Sequence, residues 1–189
     1  MRVAVYGGSF NPPHVGHAMV ACWLRWTERV DQVWLLPAFA HPFDKELVPF
    51  RMRVGFCEAL VDSLGPWARV EPIEEELPRP SYTIDTLGAL AARHPSHRFR
   101  LVVGADALPT LSQWKRWDLI ERQFPPIVVG RQGYPEVSDA PVFPDVSSTE
   151  IRRRLRGGEA VDHLVPAAVL RRLGGVYGPS AGGPKPMTP

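Results

Sequence analysis

The apolar runs of this chain are short, unbroken and separated by helix-length stretches, and that spacing limits the fold more than any other feature. Residues 2–6 (Arg-Val-Ala-Val-Tyr) read as a strand buried on both faces, since they lack the polar alternation of a strand with one wet side. Residues 32–36, 99–103 and 126–129 repeat the pattern. Amphipathic stretches at 15–28, 50–64, 83–93 and 119–123 lie between them and read as helices. A helical crossover returns the chain to the end of the sheet it left, so strands joined this way pair in parallel. The expected fold class is α/β, a single doubly wound parallel sheet with a small C-terminal helical segment at 148–156 and 166–173.

In such sheets ligands settle beyond the carboxyl ends of the strands. The loops that follow three of the strands, at 7–13, 37–49 and 104–117, carry the unusual residues, which places candidate chemistry on one rim. A chain of 189 residues with 44% hydrophobic and 22% charged residues fits one domain, expected over 1–173. From 174 to 189 the text turns to Gly, Pro and Ser and reads as a disordered tail. The net charge of +2 demands no nucleic acid or membrane partner, and the arginines at 152–156 are too local for a nucleic-acid stripe. No segment has the apolar length of a signal peptide or membrane span, so a cytoplasmic location is expected. Cys22 and Cys57 lie inside helical patterns without partners at metal-ligand spacing and read as core; no protein-bound metal is expected.

The first strand ends on Gly7-Gly8-Ser9-Phe10-Asn11 and enters a helix through Pro12-Pro13-His14-Val15-Gly16-His17. Glycines leave backbone N–H groups uncovered, and the helix start adds unpaired donors and the positive end of its dipole, which suits phosphate. His14 and His17 are three residues apart, on one face of the first turn, and Gly16 keeps the surface between them low. A second anion site is readable at Val146-Ser147-Ser148-Thr149-Glu150-Ile151-Arg152. Its hydroxyls cap a helix and Arg152 offers a planar fork to phosphate oxygens. The same residues also satisfy an ordinary capping box, Ser147 with Glu150, which needs no ligand.

These two motifs together resemble the signatures of the nucleotidyltransferase superfamily that includes nicotinate mononucleotide, phosphopantetheine and glycerol-3-phosphate nucleotidyltransferases. The resemblance implies a Rossmann-like sheet and direct attack of an acceptor phosphate on the α-phosphorus of ATP, with Mg²⁺ as cofactor neutralising the leaving pyrophosphate. It implies ATP-binding roles for Gly7, Gly8, Ser9, Phe10, Gly16, Gly104, Asp106, Ser147, Ser148 and Thr149, and catalytic roles for His14, His17, Lys45 and Arg152. Where the family carries Pro-Pro-His-Lys, this chain reads His41-Pro42-Phe43-Asp44-Lys45, so Lys45 is carried over without its usual neighbours; Arg51 or Arg53 are further cations for phosphate.

The middle of the chain must choose the acceptor. Ser81-Tyr82-Thr83-Ile84-Asp85-Thr86 and Gly104-Ala105-Asp106, followed by Trp114, resemble motifs of nicotinate mononucleotide adenylyltransferases, and the resemblance runs over residues 2–173. It implies that Asn11, Tyr82, Thr83, Asp85 and Trp114 bind the nicotinate nucleotide, Trp114 by offering a face to the pyridine ring and the helix start near Thr83 by holding its carboxylate. The expected partners are ATP and a pyridine mononucleotide. The alternatives are transfer to nicotinamide mononucleotide or phosphopantetheine, or a regulator that binds nucleotide without turnover.

Overall fold

Strand β1 (Arg2–Gly8) pairs in parallel with β2 (Gln32–Pro37) on one side and with β4 (Arg98–Gly104) on the other. In the computed structural model, which describes residues 1–28, 30–40, 47–134, 136–137 and 140–178, β3 (Ala68–Val70) extends the sheet beyond β2. Beyond β4 come β5 (Ile127–Arg131) and β6 (Val142–Phe143). The order β3-β2-β1-β4-β5-β6, parallel throughout, confirms the Rossmann-like expectation and places the reversal of strand order between β1 and β4.

Successive side chains on a strand face opposite ways, and β1 shows what this does. Ala4 joins one apolar cluster with Val20 and Leu24 of α1 (Val15–Thr27) and Phe56 and Leu60 of α2 (Phe50–Leu64). Val3 and Val5 join the other with Leu87 and Leu90 of α3 (Thr83–Arg93) and Ile120 of α4 (Trp117–Gln123). Strands that feed two cores have no polar face, which is why they read as unbroken apolar runs. Helices α5 (Ser148–Arg156) and α6 (Ala167–Leu173) complete the first cluster. On α5, Ile151 is the fully buried residue, and this one anchor contributes about 2 kcal/mol by area.

Three features depart from the expectation. β3 and β6 were not foreseen, because three and two residues are too short for a period to register. Tyr177, expected in the tail, is buried in the first cluster against Phe56, while Gly174, Gly175 and Val176 beside it are exposed. Residues 179–189 and Lys45 lie outside the described residues.

Candidate active site

The loop between β1 and α1 is made by one unusual backbone position. Phe10 takes φ 46°, in the left-handed region that a side-chain-bearing residue rarely adopts, and its ring is buried against Tyr6 and His17. Strain of this kind persists only where the surroundings hold it. Here the ring is the anchor: a Cβ at Gly8 would meet it at 3.2 Å and push it by a few tenths of an ångström. Gly7 has open space where its side chain would stand and lines the cavity.

Helix α1 then starts at His14, whose backbone N–H donates to Nδ1 of His17 at 3.1 Å. That bond settles the tautomer: neutral His17 carries its proton on Nε2 and remains a donor. The two rings stand 3.8 Å apart between centroids. Burial and the nearby Arg131 push the His14 imidazole down to about 4; burial first, then His14 and Arg131, push His17 well below its ordinary value. Both rings are neutral at pH 7, each with one N–H. Nδ1 of His14 is buried with no hydrogen-bond partner among the described residues. A Cβ at Gly16 would sit 3.0 Å from that atom, which gives Gly16 its reason.

The second motif closes on the first. Ser148 Oγ donates to the carbonyl of Pro12 at 2.8 Å, and Arg152 Nη1 donates to the carbonyl of Asn11 at 2.8 Å, contacts that span 136 and 141 residues. Ser147 caps α5 by accepting from the N–H of Glu150. Arg153 and Arg154 pair with Glu150, holding its carboxyl down to about 2, and Arg153 also pairs with Glu159, so these arginines form the solvated face.

A cavity of about 430 Å³ lies between the ends of β1, β4 and β5. Of the expected site residues, Gly7, Ser9, Phe10, Asn11, His14, Gly16, His17, Gly104, Asp106, Trp114, Ser147, Ser148, Thr149 and Arg152 line it. Gly104 leaves room for the Asp106 carboxylate to fold back over it. Tyr82, Thr83 and Asp85 do not line the cavity. They stand at its outer side, where Lys115, next to Trp114, pairs with Asp85 at 2.9 Å and lies over the Tyr82 ring.

Two cations move from their expected places. Arg51 pairs with Glu75. Arg53 is buried and donates to four backbone carbonyls, so it organises loops instead of meeting phosphate. Asn11, expected to touch the acceptor, spends its Oδ1 on the Tyr177 hydroxyl and the Val48 N–H. Arg131 was missed. It ends β5, lines the cavity and pairs with Asp145 at 2.7 Å and Asp106 at 3.6 Å. Its place at the carboxyl end of a strand was the available signal. Tyr6, also missed, lines the cavity with a phenol that burial and Asp106 push upward, so it stays protonated.

Residues 5–154, which contain both halves of this cavity, match the cytidylyltransferase-like family model. The chain belongs to that cytidylyltransferase-like family. It is 52% identical over 173 residues to a probable nicotinate-nucleotide adenylyltransferase of Anaeromyxobacter dehalogenans, covering 90% of this chain and 92% of that one. A Myxococcus xanthus protein of the same name is 44% identical over 181 residues, covering 94% and 95%. Among solved structures, Plasmodium falciparum nicotinic acid mononucleotide adenylyltransferase complexed with NaAD superposes with a TM-score of 0.76. It covers 93% of this chain and 97% of its own at 16% identity, a likeness of fold. The family places a nucleotidyltransferase fold around the β1–α1 cradle that the geometry marks out.

Proposed function

We propose that this cytidylyltransferase-like protein transfers the adenylyl group of ATP to nicotinate mononucleotide, giving nicotinate adenine dinucleotide and pyrophosphate. The observation that carries the reading is the union of two helix starts over one cavity, α1 with His14 and His17 and α5 with Thr149 and Arg152, joined through the Asn11 and Pro12 carbonyls. The curated relatives named for this reaction, matched over nine-tenths of the chain, support the acceptor.

An oxygen of the acceptor phosphate attacks the α-phosphorus, a new P–O bond forms, and the bond to the leaving pyrophosphate breaks. The acceptor is already an anion at neutral pH, so no general base is needed. The protein's task is alignment and stabilisation of charge on the phosphoryl oxygens. Neutral His14 and His17 donate one N–H each, and Arg152 adds positive charge at the far wall. Trp114 gives the pyridine a face, and the start of α3 beside Tyr82 and Thr83 holds its carboxylate.

The donors lining the cavity fit Mg²⁺ carried by the nucleotide. Asp106 is the one carboxylate among the described lining residues, and no group of three or more His, Cys, Asp or Glu among the described residues forms a protein cage. Mg²⁺ usually keeps its waters and is shared between substrate phosphates and one or two carboxylates. It would neutralise the leaving pyrophosphate, with Asp106 holding one of its waters. Among the described residues no helix is long and apolar enough to cross a membrane. The phosphorylated substrates, which cross membranes poorly, support a cytoplasmic location.

Incubation with Mg·ATP and nicotinate mononucleotide should release pyrophosphate and the dinucleotide. Turnover of nicotinamide mononucleotide or phosphopantetheine in its place would overturn the acceptor, and tight ATP binding without any pyrophosphate would revive the regulator.

A further inference from the structure

Between the nucleotide cradle and the Tyr82 turn runs a polar chain that neither motif contains. Arg53 is only 1% exposed, and a buried guanidinium is tolerated only when its N–H groups are occupied. Its Nη1 donates to the carbonyls of Ser9 at 2.9 Å and Ala38 at 2.7 Å, its Nη2 to Phe39 at 3.2 Å and its Nε to Val48 at 3.1 Å. One planar group thus ties the cradle to the chain on both sides of residues 41–46. The N–H of Phe39 donates in turn to Glu74 Oε2 at 2.8 Å. The other oxygen of Glu74 accepts from the Thr86 hydroxyl, which also lies 3.3 Å from the Tyr82 carbonyl. Thr86 is 3% exposed. Ser9, Arg53, Phe39, Glu74, Thr86 and Tyr82 form one continuous path, from the loop that takes phosphate to the turn that takes the acceptor.

We propose that Arg53 and Glu74 are positioning residues that couple the two substrate sites, so that nucleotide seated on the cradle sets the Tyr82–Thr86 turn for the acceptor. The inference rests on the reading of that turn as the acceptor side. A guanidinium is rigid, so a shift of the Ser9 carbonyl on nucleotide binding moves the Ala38 carbonyl that the same Nη1 holds, and with it the Phe39 N–H of that planar peptide. Phe39 is flanked by Arg79, which lies over its ring at 3.7 Å, and by Phe50, whose ring stands 4.9 Å away. Its peptide N–H therefore carries the shift to Glu74 and Thr86. Such a path earns the word coupling only from a measured dependence of one site on the other.

Two measurements test it. In the unaltered protein, a non-hydrolysable ATP analogue alone should slow amide exchange at Phe39 and Thr86 at least about fivefold, the lower end of ordinary coupling. Protection confined to residues 7–17 and 147–152 overturns the proposal, whatever the acceptor proves to be. Second, the affinity of the analogue is compared with and without nicotinate mononucleotide. The ratio, about tenfold in the unaltered protein, should fall towards one in Arg53→Lys and in Glu74→Gln. In each variant the affinity for analogue alone should change less than about threefold, and the double variant should lose no more than either single one. A ratio retained in folded variants overturns the relay. If Arg53→Lys fails to fold, the exchange result decides. If the mononucleotide does not bind at all, the acceptor reading fails while the exchange result still stands for or against the relay.

Discussion

The two sides of the cavity are built in opposite ways. The side proposed for the nucleotide is held from within: Asn11 is 1% exposed and His14 7%, and the bonds that fix their loop come from Ser148, Arg152 and Tyr177, far along the chain. The side proposed for the acceptor is held mainly at its surface, by Lys115 paired with Asp85 in water and a Tyr82 ring that is 46% exposed, with Thr86 bonded inward to Glu74. The difference fits what each side is proposed to do. Stabilising charge at the α-phosphorus needs donors that do not move, and only burial and long-range bonds fix them that well. Choosing an acceptor needs only a difference in affinity, which exposed groups supply and which can change at little cost to folding.

The largest expected contrast comes from His17→Ala, which should lower kcat by about two to three powers of ten while leaving the fold intact. A near-normal rate would break the claim that the nucleotide side is the catalytic one. Gly16→Ala places a Cβ 3.0 Å from His14 Nδ1, and the displaced ring should lower kcat by about ten- to a hundredfold with the KM for acceptor unchanged. Trp114→Ala should do the reverse, raising the KM for the mononucleotide about tenfold with the KM for ATP unchanged. If both KM values rise together, the two sides are not separable in this way.

Acid should also distinguish them. Burial holds native His14 down at about 4 and native His17 well below the ordinary value of 6.5 that both keep in the unfolded chain. Above pH 6.5 neither state binds these protons and the pair contributes nothing to the pH dependence. As pH falls from 6.5 towards 4 the unfolded state takes them first, so stability is lost across that window. Melting followed from pH 7 to 4 should show this decline, shallower in His17→Ala and unchanged in Asp85→Asn. The smallest effect is Lys115→Ala, which should leave Tm within about 2 °C because its ion pair is exposed.

How far the sequence foretold these two sides differs for the same reason. The cradle was legible because glycines, histidines and a capped helix start are local devices, each needed by the backbone at its own position. Arg131 and Arg53 were not legible as they stand, because their roles depend on which loops the sheet brings together: one faces the cavity at the end of β5, the other holds carbonyls from segments up to 44 residues away. Tyr177 was hidden by its company. The glycines around it read as disorder, yet the phenol reaches a buried amide. The four longer strands were foreseen because burial on both faces leaves a plain mark, while β3 and β6 are too short to carry one.

The bond from Tyr177 to Asn11 joins residues 166 positions apart. Synthesis runs from the cradle towards Tyr177, so the loop proposed to meet the triphosphate leaves the ribosome well before the residues that finish it. Until the chain past α6 has emerged, the loop lacks the hydroxyl at Asn11, and before α5 it lacks the grip of Ser148 and Arg152 as well. A half-made copy thus exposes the glycines and histidines of the proposed nucleotide site without the means to fix them, and competence arrives with the turn after α6 rather than with β1.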